Sequence, residues 1–198
     1  MTGLRERKKQ QTHDVLSQVA IELFLARGFD QVSVADIAAA ANVSKPTLFK
    51  YFATKQDLVL HRFADHAHEA ARIVRTSPAP PAEALLQHFL DGLERRDPVT
   101  GLNDHPDVIA YYRLVFSTPA LAAHLQQFIA ADEAALAEAL GNDLDARLLA
   151  AYLISTQQIL AQRNWQAVAD GQTADARHPL AVAEATQAFT ALGTRVAL

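Results

Sequence analysis

The chain contains no cysteine, which excludes disulfides and thiolate metal sites and suits a reducing compartment. Aromatics make up only 7% of it and glycine only 7 of 198 residues, while half the residues are hydrophobic, mostly Ala and Leu. That bias predicts an all-α protein. No apolar run approaches the ~18 to 20 uninterrupted residues of a membrane helix. The first residues are polar and charged, so no signal peptide is expected and a cytoplasmic location is. Also missing are a Gly-rich phosphate loop, a Gly-x-Ser-x-Gly elbow and a His-Glu-x-x-His pair. No enzyme activity, cofactor or metal is therefore expected.

What charge there is lies unevenly. The net charge is −4, yet residues 1–60 carry +2 and residues 61–198 carry −6, and every lysine lies within the first 55 residues. A basic N-terminal module on an acidic body fits binding to nucleic acid by one end.

Within that module, residues 32–55 hold three helix starts in close succession. Ser33 precedes Asp36 by three residues and Thr54 precedes Asp57 by three, the spacing of a reciprocal capping box. Ser44 is a third cap, with Pro46 in the first turn behind it. Asn42-Val43 supplies a tight turn between the first two helices. Val34, Ile37, Ala38, Ala41, Val43, Leu48 and Phe52 can then point inward together, leaving Lys45, Thr47, Lys50 and Tyr51 outside. Two short helices at a steep angle, the second with a polar and basic outer face, form a helix-turn-helix. Ahead of them, residues 4–27 predict a long helix with rows Val15/Val19/Leu23 and Leu16/Ala20/Phe24, closed by Arg27-Gly28-Phe29. Its start carries Arg5, Arg7, Lys8 and Lys9, cations that a helix N-terminus disfavours and that phosphates could compensate.

Gly28-Phe29, the run from Val32 to Ser44, Thr47-Leu-Phe-Lys-Tyr-Phe52 and Lys55 together resemble the TetR/AcrR family of bacterial transcriptional regulators. The resemblance covers roughly Arg5 to Leu60, the first quarter to third of the chain. It implies a three-helix DNA-binding domain joined through a fourth helix to a helical domain for ligand binding and dimerisation, about nine helices in all. The domain boundary is expected at 53/54, with residues 54–75 forming the connecting helix. The family usually has Tyr at the position of Phe49, where its hydroxyl touches phosphate. Phe49 cannot donate that bond, which shifts weight to Tyr51 and Thr47.

The DNA-facing set can be argued from chemistry. Ser33 and Ser44 at helix starts suit phosphate oxygens. Lys45 and Lys50 reach phosphates or guanine edges, and Thr47 a thymine methyl or a phosphate. Pro46 offers only apolar contact, and Tyr51 is better placed as a phosphate donor than as a base reader. Lys55 resembles the family's phosphate-binding lysine. On the connecting helix, His61, Asp65 and His68 at i, i+4 and i+7 would share a face. Ordinary polar positions are their commoner role, and no metal is assigned to them.

Beyond Ser77-Pro-Ala-Pro-Pro81, which ends that helix, further helices are expected over residues 82–96, 105–116 (capped by Asp104), 118–140, 143–170 and 179–192. The last two carry apolar residues over much of their circumference, so each must bury two faces. In the resembled family this pair forms a four-helix bundle with its mate. A twofold dimer would also suit a palindromic operator. Effector-pocket candidates are Phe89, Tyr111, Tyr112, Phe116, His124, Phe128, Gln157 and Trp165, with Arg113 or Arg163 available to an anionic group. The expected function is a repressor, bound as a homodimer to double-stranded DNA and released by a small, largely apolar organic effector. The alternative is an activator, or a ligand-independent DNA-binding protein, with the same DNA head.

Overall fold

A computed structural model describes residues 3–196, with the side chains of residues 4–6, 64 and 194–196 outside the description. The expected contribution of Arg5 therefore lies outside the described residues. Among those described, the chain is all-helical: ten α-helices, one 3₁₀ turn and no strand. The helices are α1 (Gly3–Arg27), α2 (Val34–Ala40), α3 (Lys45–Phe49), α4 (Asp57–Ala64) and α5 (Glu69–Thr76). They continue with α6 (Pro81–Glu94), α7 (Pro106–Ser117), α8 (Pro119–Leu140), α9 (Leu144–Ala169) and α10 (Ala174–Val196). No described helix is long and apolar enough to cross a membrane.

The count exceeds the expected nine because the single helix anticipated over residues 54–75 is two. The chain leaves α4 after Ala64, and His68 adopts a left-handed conformation at φ 60° before α5 begins. Neither Gly nor Pro marks the break. It is held instead by the Asp132 carboxylate, which accepts the His68 amide at 2.7 Å in place of a helical carbonyl. His61, Asp65 and His68 therefore do not lie on one helical face, and the metal-binding arrangement considered for them does not form.

The chain divides into two compact units. The first runs to Asp65 and adds Ala110–Gln126; the second comprises His66–Ile109 and the chain from Gln127 onward.

In the first unit, the row Leu16, Ala20, Phe24 is fully buried, while Val15 in the neighbouring row stays half exposed. Gly28 at φ 86° closes α1, its amide returning to the Phe24 carbonyl. Both expected capping boxes form: Ser33 with Asp36 around α2, and Thr54 with Asp57 before α4. Leu58, Val59 and Leu60 are buried in succession, as a helix covered on all sides requires. Tyr111 on α7 donates its hydroxyl to the Val59 carbonyl at 2.8 Å.

In the second unit, α6, α9 and α10 supply the core: Leu85, Phe89, Leu93, Leu153, Ile154, Leu160, Ala185 and Phe189 among others. The 3₁₀ turn Pro98–Thr100 rests on α9, where Gly101 (φ 72°) comes so close that a Cβ would lie 1.9 Å from the Ala161 carbonyl. Only glycine fits there.

Two boundaries differ from expectation. Asp104 caps α10 rather than α7, accepting the Ala174 amide at 2.8 Å. With that cap and the Thr173 hydroxyl, which accepts the Ala176 amide, α10 starts five residues before Pro179 and holds the proline inside. The proline removes one amide from the first turns of a helix whose start is held by two other groups.

Candidate nucleic-acid interface

The turn from α2 to α3 is set by local chemistry. The Ser33 amide and hydroxyl donate to Asp36 Oδ2 at 2.8 and 2.6 Å, and the Asp36 amide donates to Ser33 Oγ. These bonds to Ser33, aided by Arg27 and Lys45, hold the Asp36 carboxyl below the usual carboxylate range. Ala41 ends α2, and Asn42 takes the left-handed conformation (φ 53°) anticipated for the turn. Ser44 then caps α3 through the Thr47 amide, and the two hydroxyls pair at 2.8 Å. Both candidate phosphate-facing serines thus already accept a backbone amide of their own helix.

Helix α3 is anchored by Leu48, which is fully buried, with Phe52 buried just beyond its end. Around that anchor Ser44, Lys45, Pro46, Phe49 and Lys50 are exposed, and Thr47 and Tyr51 are half-buried. The expected outward set is therefore gathered around one short helix. Phe49, 50% exposed, presents a bare ring on the same helix. The α1 side chains Arg7, Lys8 and Lys9 are exposed as well.

Lys55 is held in a way the sequence did not suggest. Its ammonium donates to the Phe29 carbonyl and sits over the rings of Phe29 and Phe24, 4.1 and 5.4 Å from their centroids. Burial lowers its pKa, with Asp30 opposing. A seat on two ring faces and a carbonyl fixes the ammonium while leaving protons for further acceptors. Gly28-Phe29 was the available signal, since the left-handed glycine turns Phe29 back across the unit.

At the start of α4, Asp57 also receives His124 from α8, Nε2 to Oδ1 at 2.9 Å. Burial alone would raise this carboxyl, but the bonds from Thr54 and His124 outweigh it and hold it below its ordinary value. His124, one of the effector-pocket candidates, pairs with the α4 cap. Deeper in the unit, the buried Ser17 donates to the Leu58 carbonyl at 2.8 Å and meets His61 Nδ1 at 3.0 Å.

The other pocket candidates fall in both units. Tyr111, Tyr112 and Phe116 stand in sequence, ring centroids 5.7 and 5.8 Å apart, with Phe63 against both tyrosines. Burial pushes the Tyr111 phenol well up. In the second unit Phe89 packs on Phe189, and Phe128, Gln157 and Trp165 are half-buried. Arg163, offered to an anionic ligand, pairs with Glu184 at 2.6 Å, and Arg113 is exposed.

Residues 16–61 match the family model described as bacterial regulatory proteins, tetR family. The HTH-type transcriptional regulator TcmR of Streptomyces glaucescens is 33% identical over 178 residues, covering 85% of this chain and 79% of its own. The regulator MftR of Mycobacterium tuberculosis is 47% identical over 90 residues, 46% of this chain and 37% of its own. Among solved structures, Salmonella enterica GusR superposes with a TM-score of 0.59 at 19% identity, over 95% of this chain and 96% of its own. NalD of Pseudomonas aeruginosa, described as the secondary repressor of a multidrug efflux pump, gives 0.61 at 14% identity, over 91% and 97%.

Proposed function

Because the chain belongs to the tetR family of bacterial regulatory proteins and is a DNA-binding transcriptional regulator rather than an enzyme, we propose that it is a ligand-released repressor. It would act in the cytoplasm as a homodimer on a palindromic operator. The observation that carries the reading is α3 itself: a five-residue helix fixed by the buried Leu48, with Lys45, Pro46 and Lys50 exposed beside the half-buried Thr47 and Tyr51. A rigid short helix with lysines and a hydroxyl outside suits base edges and phosphates of a major groove. Lys55 and Tyr51 are assigned to phosphate, and Ser33 and Ser44 to the edges of the same contact, where Ser33 would exchange a bond to Asp36 for one to phosphate.

The dimer is supported by α9. Leu144, Leu148, Tyr152 and Ile159 are 71, 45, 53 and 58% exposed, and their spacing of four, four and seven places them in one stripe. Leu180 on α10 is exposed as well. A stripe of large apolar side chains on the last two helices is suited to its own twofold mate. Residues 1–53 are read as the DNA-binding domain and residues 54–198 as the effector and dimer domain.

The effector would be small, organic and largely apolar, held by residues drawn from Phe89, Tyr111, Tyr112, Phe116, His124, Phe128, Gln157 and Trp165. Binding would favour a conformation in which the two recognition helices no longer match successive major grooves, so that the DNA-competent population falls. The test is fluorescence anisotropy on selected duplex DNA across a salt series with excess random competitor. Tight binding that survives the competitor and tightens further as salt falls is expected. Binding equal on every sequence would overturn the specific regulator.

A further inference from the structure

Among the described residues, His13 and Asp14 of α1 and His61 of α4 bring their donor atoms within 4.8 Å of one another. Each group is oriented by something outside the set. Ser17, one turn beyond His13 on the same face of α1, has a single hydroxyl proton and gives it to the Leu58 carbonyl. Toward His61 Nδ1, at 3.0 Å, it can then only accept. The His61 proton is thereby fixed on Nδ1, and Nε2 is left with a lone pair, the form in which imidazole binds a metal.

The second imidazole points to the same use. His13 Nδ1 is buried with no hydrogen-bond partner and lies 3.7 Å from the Asp14 carboxylate. Its ring stacks on Phe52 at 4.2 Å and meets His61 edge-on at 4.8 Å, planes 79° apart. A buried ring nitrogen without a partner is unfavourable unless something satisfies it. Asp14 is exposed, so the set opens to solvent on one side, where an ion can enter and keep water ligands.

We propose that His13, Asp14 and His61 form a site for a divalent transition ion of the zinc class, bound between α1 and α4. Two imidazoles and one carboxylate suit Zn²⁺, Ni²⁺ or Co²⁺ better than Mg²⁺ or Ca²⁺, which favour all-oxygen shells. Bonds of about 2.0–2.1 Å would bring the three donors to ~3.3 Å of each other, a closure by side-chain rotation. The ion ties α1 to α4 and, through the His13–Phe52 stack, to the segment leaving α3. Any resulting change in operator affinity rests on the regulator reading above; ion binding itself does not.

The test is titration of the full chain, without DNA, with Co²⁺ followed by its visible d–d absorbance and then with competing Zn²⁺. One ion per chain is expected. Affinity should fall at least tenfold in both His13→Gln and His61→Gln, and less in Asp14→Asn. The His66→Gln/His88→Gln double variant, which alters the histidines beside Glu69, should bind as the parent does. Zn²⁺ at about a hundred times the parent's Kd should raise the melting midpoint of the parent by about 5–11 °C and that of His13→Gln by at most about half as much. Should His61→Gln fail to fold, the half-exposed His13 and exposed Asp14 variants decide the matter. No binding of either ion at 100 µM, or binding lost only in the His66/His88 variant, overturns the site.

Discussion

Helix α3 is five residues long and buries one side chain, Leu48. Helix α9 is 26 residues long and buries seven, yet leaves a stripe of large apolar side chains in the open. Both are incomplete alone, in opposite senses. What α3 and its flanks leave exposed is Ser44, Lys45, Pro46, Phe49 and Lys50, and the serine and the two lysines are groups that water tolerates and a polyanion improves. What α9 leaves exposed is Leu144, Leu148, Tyr152 and Ile159, which only another apolar surface improves. One chain thus carries two unfinished surfaces of different chemistry: the first suits DNA, and the second is the surface proposed for a copy of itself.

Breaking the apolar surface should do more than breaking the basic one, because a twofold reader loses half its contacts when it loses its mate. Leu148→Glu with Ile159→Glu should convert the dimer to a monomer in sedimentation and weaken operator binding by at least ~100-fold. Both positions are about half exposed, so the fold of each chain should survive by circular dichroism. Next in size, Lys45→Ala with Lys50→Ala should cost ~1–3 kcal/mol of operator binding, about 5- to 150-fold. It should also lower the salt slope by about 1 for each lysine that touches phosphate. Stability should hardly change, since both side chains are exposed.

Smaller effects separate folding of the head from its contacts. Ser33→Ala removes the cap of α2 and should cost ~1 kcal/mol of stability, a melting shift of about 2–4 °C. Asp57 tests the α4 cap by pH. Its folded pKa is depressed from the ordinary 3.8, so its contribution is whole above that value and is lost as pH falls through the folded pKa. Asp57→Asn should accordingly melt below the parent at pH 7, and the gap should narrow as pH is taken below about 3.8.

Local chemistry explains which parts were legible in the sequence. Ser33 with Asp36, Thr54 with Asp57, Asn42 and Gly28 act within four residues of themselves, so spacing alone revealed them. The same is true of Lys45, Thr47 and Lys50, whose outward placement follows once Leu48 is recognised as the inward residue. The misses are long-range choices between equally plausible partners. Asp104 could cap the helix beside it, but its carboxylate goes to Ala174, seventy residues on. His68 has neither Gly nor Pro beside it, and the helix breaks there with the Asp132 carboxylate on its amide. Pro179 resembles a first-turn proline, yet two caps upstream carry α10 past it.

The proposed role of α3 as one half of a twofold DNA reader is tested most directly by selecting duplexes from a random pool with the protein and sequencing those retained. An inverted repeat is expected, its half-sites about one helical turn apart, about 10–10.5 base pairs centre to centre, bound by an even number of chains. A single unpaired half-site, or a retained pool no different from the input, would contradict it.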